Sequence, residues 1–209
     1  MTTLLQIIAT PHPSAESQTR QLATAFLDAW QTVNPTGVVE TVDLARLELP
    51  PLDDAMVSIL FDQPSKAPPD VLQRKRKALD RLVMQFTAAD AYLFVTPMWN
   101  FGLPHTLKHY LDLVIRPGWT FALDTGGAVG LLPGRSAYAV ITRGFDYGPG
   151  SPHPEHNHLE PHLRTLLGFM GLEDLQIVAA EGMMLPGGAE RLAQAKRAAS
   201  AMALGLVAA

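Results

Sequence analysis

The chain has no cysteine among its 209 residues. That excludes a disulfide scaffold, a thiol nucleophile and a cysteine-ligated zinc or iron–sulfur centre, and it fits a reducing compartment. Charge is sparse as well: 17% of residues are charged against 47% hydrophobic, and 16 basic against 20 acidic residues leave a net charge of −4. Such a chain lacks the surplus of cations that binding to a nucleic-acid backbone requires, so no nucleic-acid partner is expected. The longest basic run, Arg74–Lys75–Arg76–Lys77, reads as the solvated face of a helix. Apolar runs are short. Met1–Ala9 lacks a basic n-region and is too brief for a membrane span, which points to a cytoplasmic location and no membrane partner. No repeat or low-complexity block interrupts the chain. This length can bury roughly 70% of the surface that an unfolded chain exposes, which suits a single domain over residues 1–209.

What is present alternates regularly. Thr3–Ala9 is a continuous apolar run suited to a strand buried on both faces. Leu22, Phe26, Trp30 and Val33 then recur at helical spacing. Val38–Leu44 reads as an outer strand and Pro50–Pro69 as a long proline-rich excursion. Asp70 can cap the next helix, with Gln73 three residues on and Leu72, Leu79, Val83 and Phe86 as its buried stripe. Ala91–Thr96, Ser136–Thr142 and Gln176–Glu181 read as further strands. Helices are predicted from Pro104, around Leu159–Met170 and over Ala189–Leu206. Five strands alternating with five helices predict a parallel sheet covered on both faces. The flavodoxin-like order 2-1-3-4-5 and a half Rossmann arrangement both fit, and in either a ligand sits beyond the carboxyl ends of the strands.

Three segments therefore carry the functional signal. Thr10–Thr19 (TPHPSAESQT) lies between the first strand and the first helix, where hydroxyls and free N–H groups make an anion site. It has neither G-x-G-x-x-G nor a P-loop; were the fold flavodoxin-like, a flavin mononucleotide phosphate would be the expected occupant. Ser14 or Ser17 could equally be a plain N-cap. Thr96–Leu107 (TPMWNFGLPHTL) follows the central strand, and its aromatics can flank a flat ligand while Asn100 donates to and accepts from a heterocycle edge. The third is Thr142–Gly144, followed by Phe145, Asp146 and Tyr147. Gly144 lets a backbone N–H approach a ligand closely, and Phe145 and Tyr147 can cover it.

On these residues the chain resembles the FMN-dependent NADH:quinone oxidoreductases known as azoreductases. The strongest element is PMWNFGLPHTLKHYLDLVIRPGWTF, Pro97–Phe121. Supporting it are ESQTRQLA at Glu16–Ala23, GLLPGRSAYAVITRG ending at Gly144, and LRTLLGFMGLEDL at Leu163–Leu175. The resemblance implies a flavodoxin-like five-stranded parallel sheet of order 2-1-3-4-5 that binds FMN. It places Thr10, Ser17, Gln18 and Thr19 at the phosphate, with Thr19 standing for a second serine. Pro97, Met98, Trp99, Asn100 and Phe101 are placed along the isoalloxazine, with Trp99 replacing the usual tyrosine. Thr142, Arg143 and Gly144 are placed with their backbone at the pyrimidine end, and Phe145 where the family usually has a second glycine. No side chain is expected to act as acid or base: chemistry belongs to the FMN N5, positioned by Asn100 and Gly144. NADH or NADPH would reduce the flavin, and a quinone or azo compound would take up two electrons in a ping-pong cycle. The resemblance also implies a homodimer with active sites at its interface.

Phe121, Phe145, Tyr147 and Phe169, together with Trp99, are expected to share one substrate pocket. Phe145 either folds over the flavin as a lid, the reading preferred here, or turns outward against the histidine-rich loop. That loop, HPEHNHLEPH at His153–His162, holds His158 and His162 four residues apart, as two ligands on one helix face would be. A polar loop and the first turn of a helix explain it better, and no metal is expected. His12 reads as a solvated residue near the phosphate. Competing functions are a flavin reductase for nitro compounds or chromate, and a flavodoxin-type electron carrier.

Overall fold

Strands buried on both faces must be sandwiched between helices, and the chain is built that way. The computed structural model describes residues 2–12 and 16–206. In chain order the elements are β1 (Thr3–Ile8), α1 (Gln18–Val33), β2 (Val38–Asp43), α2 (Asp54–Leu60), α3 (Pro69–Ala88) and β3 (Ala91–Pro97). There follow α4 (His105–Val114), β4 (Phe121–Asp124), β5 (Gly127–Gly130), β6 (Ser136–Thr142), α5 (Leu159–Phe169), β7 (Leu175–Ala180) and α6 (Gly188–Ala203). Five strands form one parallel sheet in the order β2-β1-β3-β6-β7. This is the expected 2-1-3-4-5 pattern, with the antiparallel pair β4–β5 inserted before its fourth strand.

Alternate residues feed two cores. Leu5, Ile7, Tyr92 and Phe94 pack under α3, α4 and α5, whereas Leu4, Ile8, Leu93 and Val95 pack under α1 and α6. Small residues on α6, Ala195 and Ala199, let it lie close to α1, where Ser200 Oγ donates to the Ala25 carbonyl at 3.0 Å. Leu22, Phe26 and Trp30 are buried as their spacing predicts, but Val33, in the last turn of α1, is exposed.

Several local expectations are corrected. The excursion after Pro50 contains α2, capped by Asp53, whose carboxylate accepts from the Met56 N–H at 3.0 Å. Asp70 is not the cap of α3: Pro68 holds that position, and Asp70 pairs one turn on with Arg74 at 2.6 Å. Arg74, Arg76 and Lys77 are exposed and Lys75 reaches Asp53 at 2.9 Å, so the basic run is indeed a solvated helix face. The β4–β5 hairpin was not expected at all. It is reached through a turn in which Gly118 takes φ +77° and the Thr120 hydroxyl donates to the Val114 carbonyl at 3.0 Å. Among the described residues no helix is long and apolar enough to cross a membrane.

The hairpin docks where two glycines meet. A Cβ on Gly130 would lie 2.1 Å from the Gly171 nitrogen and 2.3 Å from the Met170 carbonyl carbon, and neither backbone can yield. Gly130→Ala should therefore cost about 1–3 kcal/mol and lower the urea midpoint. Gly168→Ala, in α5 with open space around it, should instead hold or raise the midpoint. Equal midpoints for wild type and Gly130→Ala would show that the hairpin is not seated on the end of α5.

Candidate functional site

The carboxyl ends of β1, β3 and β6 are adjacent in the parallel sheet, so the three segments that follow them converge on one rim. After β1, Thr10 is buried. Ser17 is the N-cap of α1, and its Oγ accepts the Arg20 N–H at 3.2 Å. Its own hydroxyl proton remains available to a ligand. No acidic side chain occupies the first turn of α1, so the positive end of the helix is left for an anion. Ser14 falls outside the described residues.

Arg20 was not singled out in the sequence. Its guanidinium donates to the Thr10 carbonyl at 3.1 Å and to the His12 carbonyl at 3.0 Å, and it pairs with Asp43 at 2.8 Å. It thus clamps the loop from behind. The only trace in the sequence is a lone cation inside the first helical turn. The backbone of His12 takes part in this clamp, while its side chain is exposed.

After β3 the chain makes a tight turn. Trp99 and Gly102 exchange two backbone hydrogen bonds, at 3.1 and 3.0 Å. Between them Asn100 has φ +46° and Phe101 φ +69°. Two consecutive left-handed residues are the type I′ pattern, and non-glycine residues hold it only at a cost of order 1–3 kcal/mol each. The turn lifts Trp99, Asn100 and Phe101 onto the exposed rim, while Met98 is half-buried beneath.

After β6, Thr142 unites the segments. Its hydroxyl lies 2.6 Å from that of Thr19, and its carbonyl accepts the Met98 N–H at 2.9 Å. The following carbonyls are taken up by the segment beyond β7: Arg143 O by Met183 N–H at 2.9 Å, Gly144 O by Met184 N–H at 2.9 Å, and Phe145 O by Gly182 N–H at 3.1 Å. A Cβ on Gly144 would come within 2.8 Å of the Met184 sulfur. The Arg143 side chain is 1% exposed. It donates to Glu160, to Glu181 at 2.5 Å and to Asn157 at 3.4 Å, leaving Nε buried without a partner among the described residues. Glu181 also accepts the Tyr147 N–H at 3.2 Å.

The predicted single aromatic pocket is corrected to two cavities. One, of about 450 Å³, is lined by Phe61, Phe121, Leu166 and Phe169, with the rings of Phe121 and Phe169 4.6 Å apart. The other, of about 400 Å³, is lined by Phe101, Phe145, Tyr147, His153, His156 and Leu185. Trp99 lines neither. The hairpin carries Phe121 to α5, while the loop after β6 carries Phe145 to the histidine segment, so the two groups part. Phe145 is exposed against His153 and His156, the outward of its two alternatives. Its φ lies outside the left-handed region, unlike those of Asn100 and Phe101. A helix end free of acid with Ser17 and Thr19 hydroxyls, beside a rim of exposed aromatics and Asn100, fits a phosphorylated flat heterocycle such as FMN.

A family model described as having a flavodoxin-like fold matches residues 2–203. The chain is 34% identical over 183 residues to an FMN-dependent NADH:quinone oxidoreductase of Nostoc punctiforme, covering 88% of each protein. To an FMN-dependent NADH:quinone oxidoreductase of Pseudomonas fluorescens it is 39% identical over 187 residues, 87% of this chain and 88% of that one. The chain belongs to the FMN-dependent NADH:quinone oxidoreductase family. Its fold matches that of an FMN-dependent NADH-azoreductase from Bacillus anthracis, solved in complex with FMN, with a TM-score of 0.89 and 25% identity over the whole of both chains. In this member of the family, the rim is held by a buried cation facing two carboxylates.

That imbalance has a measurable consequence. Burial pushes the Glu181 carboxyl above its ordinary range, with the Arg143 charge opposing the shift. The folded chain then keeps a proton that the unfolded chain has lost, so this group's contribution to stability falls as pH rises out of the ordinary carboxylate range. Glu181→Gln stays neutral and should flatten that decline in urea midpoints measured from pH 4 to 7. Identical pH slopes for the variant and the wild type would contradict the shift.

Proposed function

We propose that this chain is an FMN-dependent NADH:quinone oxidoreductase that also reduces azo compounds. The observation that carries the reading is the convergence at Thr142, where a helix end prepared for a phosphate meets a turn prepared for a flat ring. Thr10, Ser17, Gln18 and Thr19 hold the phosphate, with Arg20 fixing the loop they stand on. Pro97, Met98, Trp99, Asn100 and Phe101 lie along the ring, and Asn100 meets its heterocycle edge. Thr142, Arg143 and Gly144 present backbone at the pyrimidine end, and the Gly144 N–H stabilises negative charge there. Bound FMN supplies two-electron transfer between NADH and the acceptor. The protein's part is binding, orientation and exclusion of water, with no acid–base residue required.

The acceptor reaches the rim through the cavity of Phe101, Phe145 and Tyr147. The second cavity, with exposed Phe61 on its rim and exposed Leu123 on the same hairpin as Phe121, supports pairing with another copy of the chain. The reading includes a homodimer, a cytoplasmic location and small-molecule partners only.

Two measurements test it. Protein loaded with FMN should oxidise NADH in steady state with menadione as acceptor; bound flavin without turnover would make the chain a carrier. FMN should also bind far better than riboflavin. Ser17→Ala should weaken FMN by roughly 1.5–3 kcal/mol, about 10- to 150-fold, while leaving riboflavin nearly unchanged. Comparing the two ligands in one variant cancels the loss of the helix cap. Equal affinity of wild type for FMN and riboflavin would reduce the loop to a cap.

A further inference from the structure

The side chains of His153, Glu155 and His156 belong neither to the core nor to the phosphate loop. Pro154–His156 forms a single 3₁₀ turn, closed by the His156 N–H to the His153 carbonyl at 3.2 Å. Prolines at 152 and 154 restrict the loop on either side of His153. The turn brings the two imidazoles face to face, with centroids 5.3 Å apart and planes within 15°. Glu155 stands between them: its Oε1 is 3.4 Å from His153 Nδ1 and 3.8 Å from His156 Nε2. One ligand atom from each of the three residues lies within 4.8 Å of the others. The pair with ligand spacing in the sequence, His158 and His162, is not this one. His158 begins α5 with its N–H on the Phe101 carbonyl at 3.1 Å, and His162 is exposed one turn later.

The donor set identifies the class of ligand. Two imidazole nitrogens and one carboxylate oxygen suit zinc and its late first-row neighbours, not magnesium or calcium, which prefer oxygen. Donors on a tetrahedral zinc ion at about 2.0–2.1 Å stand about 3.3 Å apart. His153 Nδ1 and Glu155 Oε1, 3.4 Å apart, are already nearly there, and His156 Nε2 lies 3.8 Å from the same oxygen. We propose that His153, Glu155 and His156 bind one Zn²⁺ ion at the mouth of the Phe101–Phe145–Tyr147 cavity, leaving its fourth position open toward the cavity. The ring of His156 rests on Phe101 with centroids 5.0 Å apart, so an ion seated here also fixes the left-handed turn of the rim.

Isothermal titration of the FMN-loaded protein with zinc chloride tests this directly. The expected result is one zinc ion per chain in the micromolar range. His153→Ala and His156→Ala should each weaken binding at least tenfold, since losing a ligand costs no less than losing an outer-shell partner, about 10- to 100-fold. The double variant His158→Ala/His162→Ala should bind as wild type does, and magnesium chloride should give no binding. All these side chains except the half-buried His156 are exposed, and thermal melts of each variant check that the fold is kept. The proposal is overturned by wild type that binds no zinc below millimolar concentration, by wild-type binding in His153→Ala or His156→Ala, by equal loss in the double variant, or by equal binding of magnesium.

Discussion

Thr142 is the residue on which the site's geometry depends. It ends the fourth strand of the sheet, takes the Met98 N–H on its carbonyl and meets the Thr19 hydroxyl with its own. Three loops separated by up to 123 residues in sequence are thereby held at one point. A parallel sheet makes this possible because it delivers the carboxyl ends of β1, β3 and β6 side by side. Backbone positions fix the Met98 bond, whereas the Thr19 bond depends on a hydroxyl at both ends. A change at either threonine is therefore felt at both the phosphate loop and the ring-binding turn.

The rim stores strain and is braced against it. Asn100 and Phe101 stand in a region that non-glycine residues rarely adopt. The turn is held by the Trp99–Gly102 pair on one side and by the His158 N–H, which takes the Phe101 carbonyl, on the other. Behind it, Arg143 ties the loop after β6 to the start of α5 and to the end of β7 through Glu160 and Glu181. Removing that cation would leave two carboxylates facing each other at low exposure, which is why such pairs are costly to break even where they add little net stability. Rigidity at the rim thus comes from buried charge as well as from packing.

Much of this was legible in the sequence because it rests on patterns longer than one element. Alternation of apolar runs with helical stripes identified the parallel sheet, and Pro97–Phe121 carried the family resemblance. What escaped is local or tertiary. The two turns of α2 hide among prolines, with Ala55, Met56 and Ile59 as a stripe too short to register. The hairpin is glycine-rich and largely exposed, so it shows no strand alternation. Asp70 looked like a cap, but Pro69 already opens the helix. Arg20 acts through backbone carbonyls that no motif records. The aromatic residues stand out in the sequence, yet their division between two cavities depends on where the hairpin and the loop after β6 lead.

The central claim is that the rim around Thr142 holds FMN in a position where NADH can reduce it. A visible spectrum of the FMN-loaded protein, recorded before and after anaerobic addition of NADH, tests it most directly. Flavin absorbance that stays with the protein through gel filtration and bleaches on NADH addition is the expected result. Absorbance lost on gel filtration, or retained but unchanged by NADH, would contradict it.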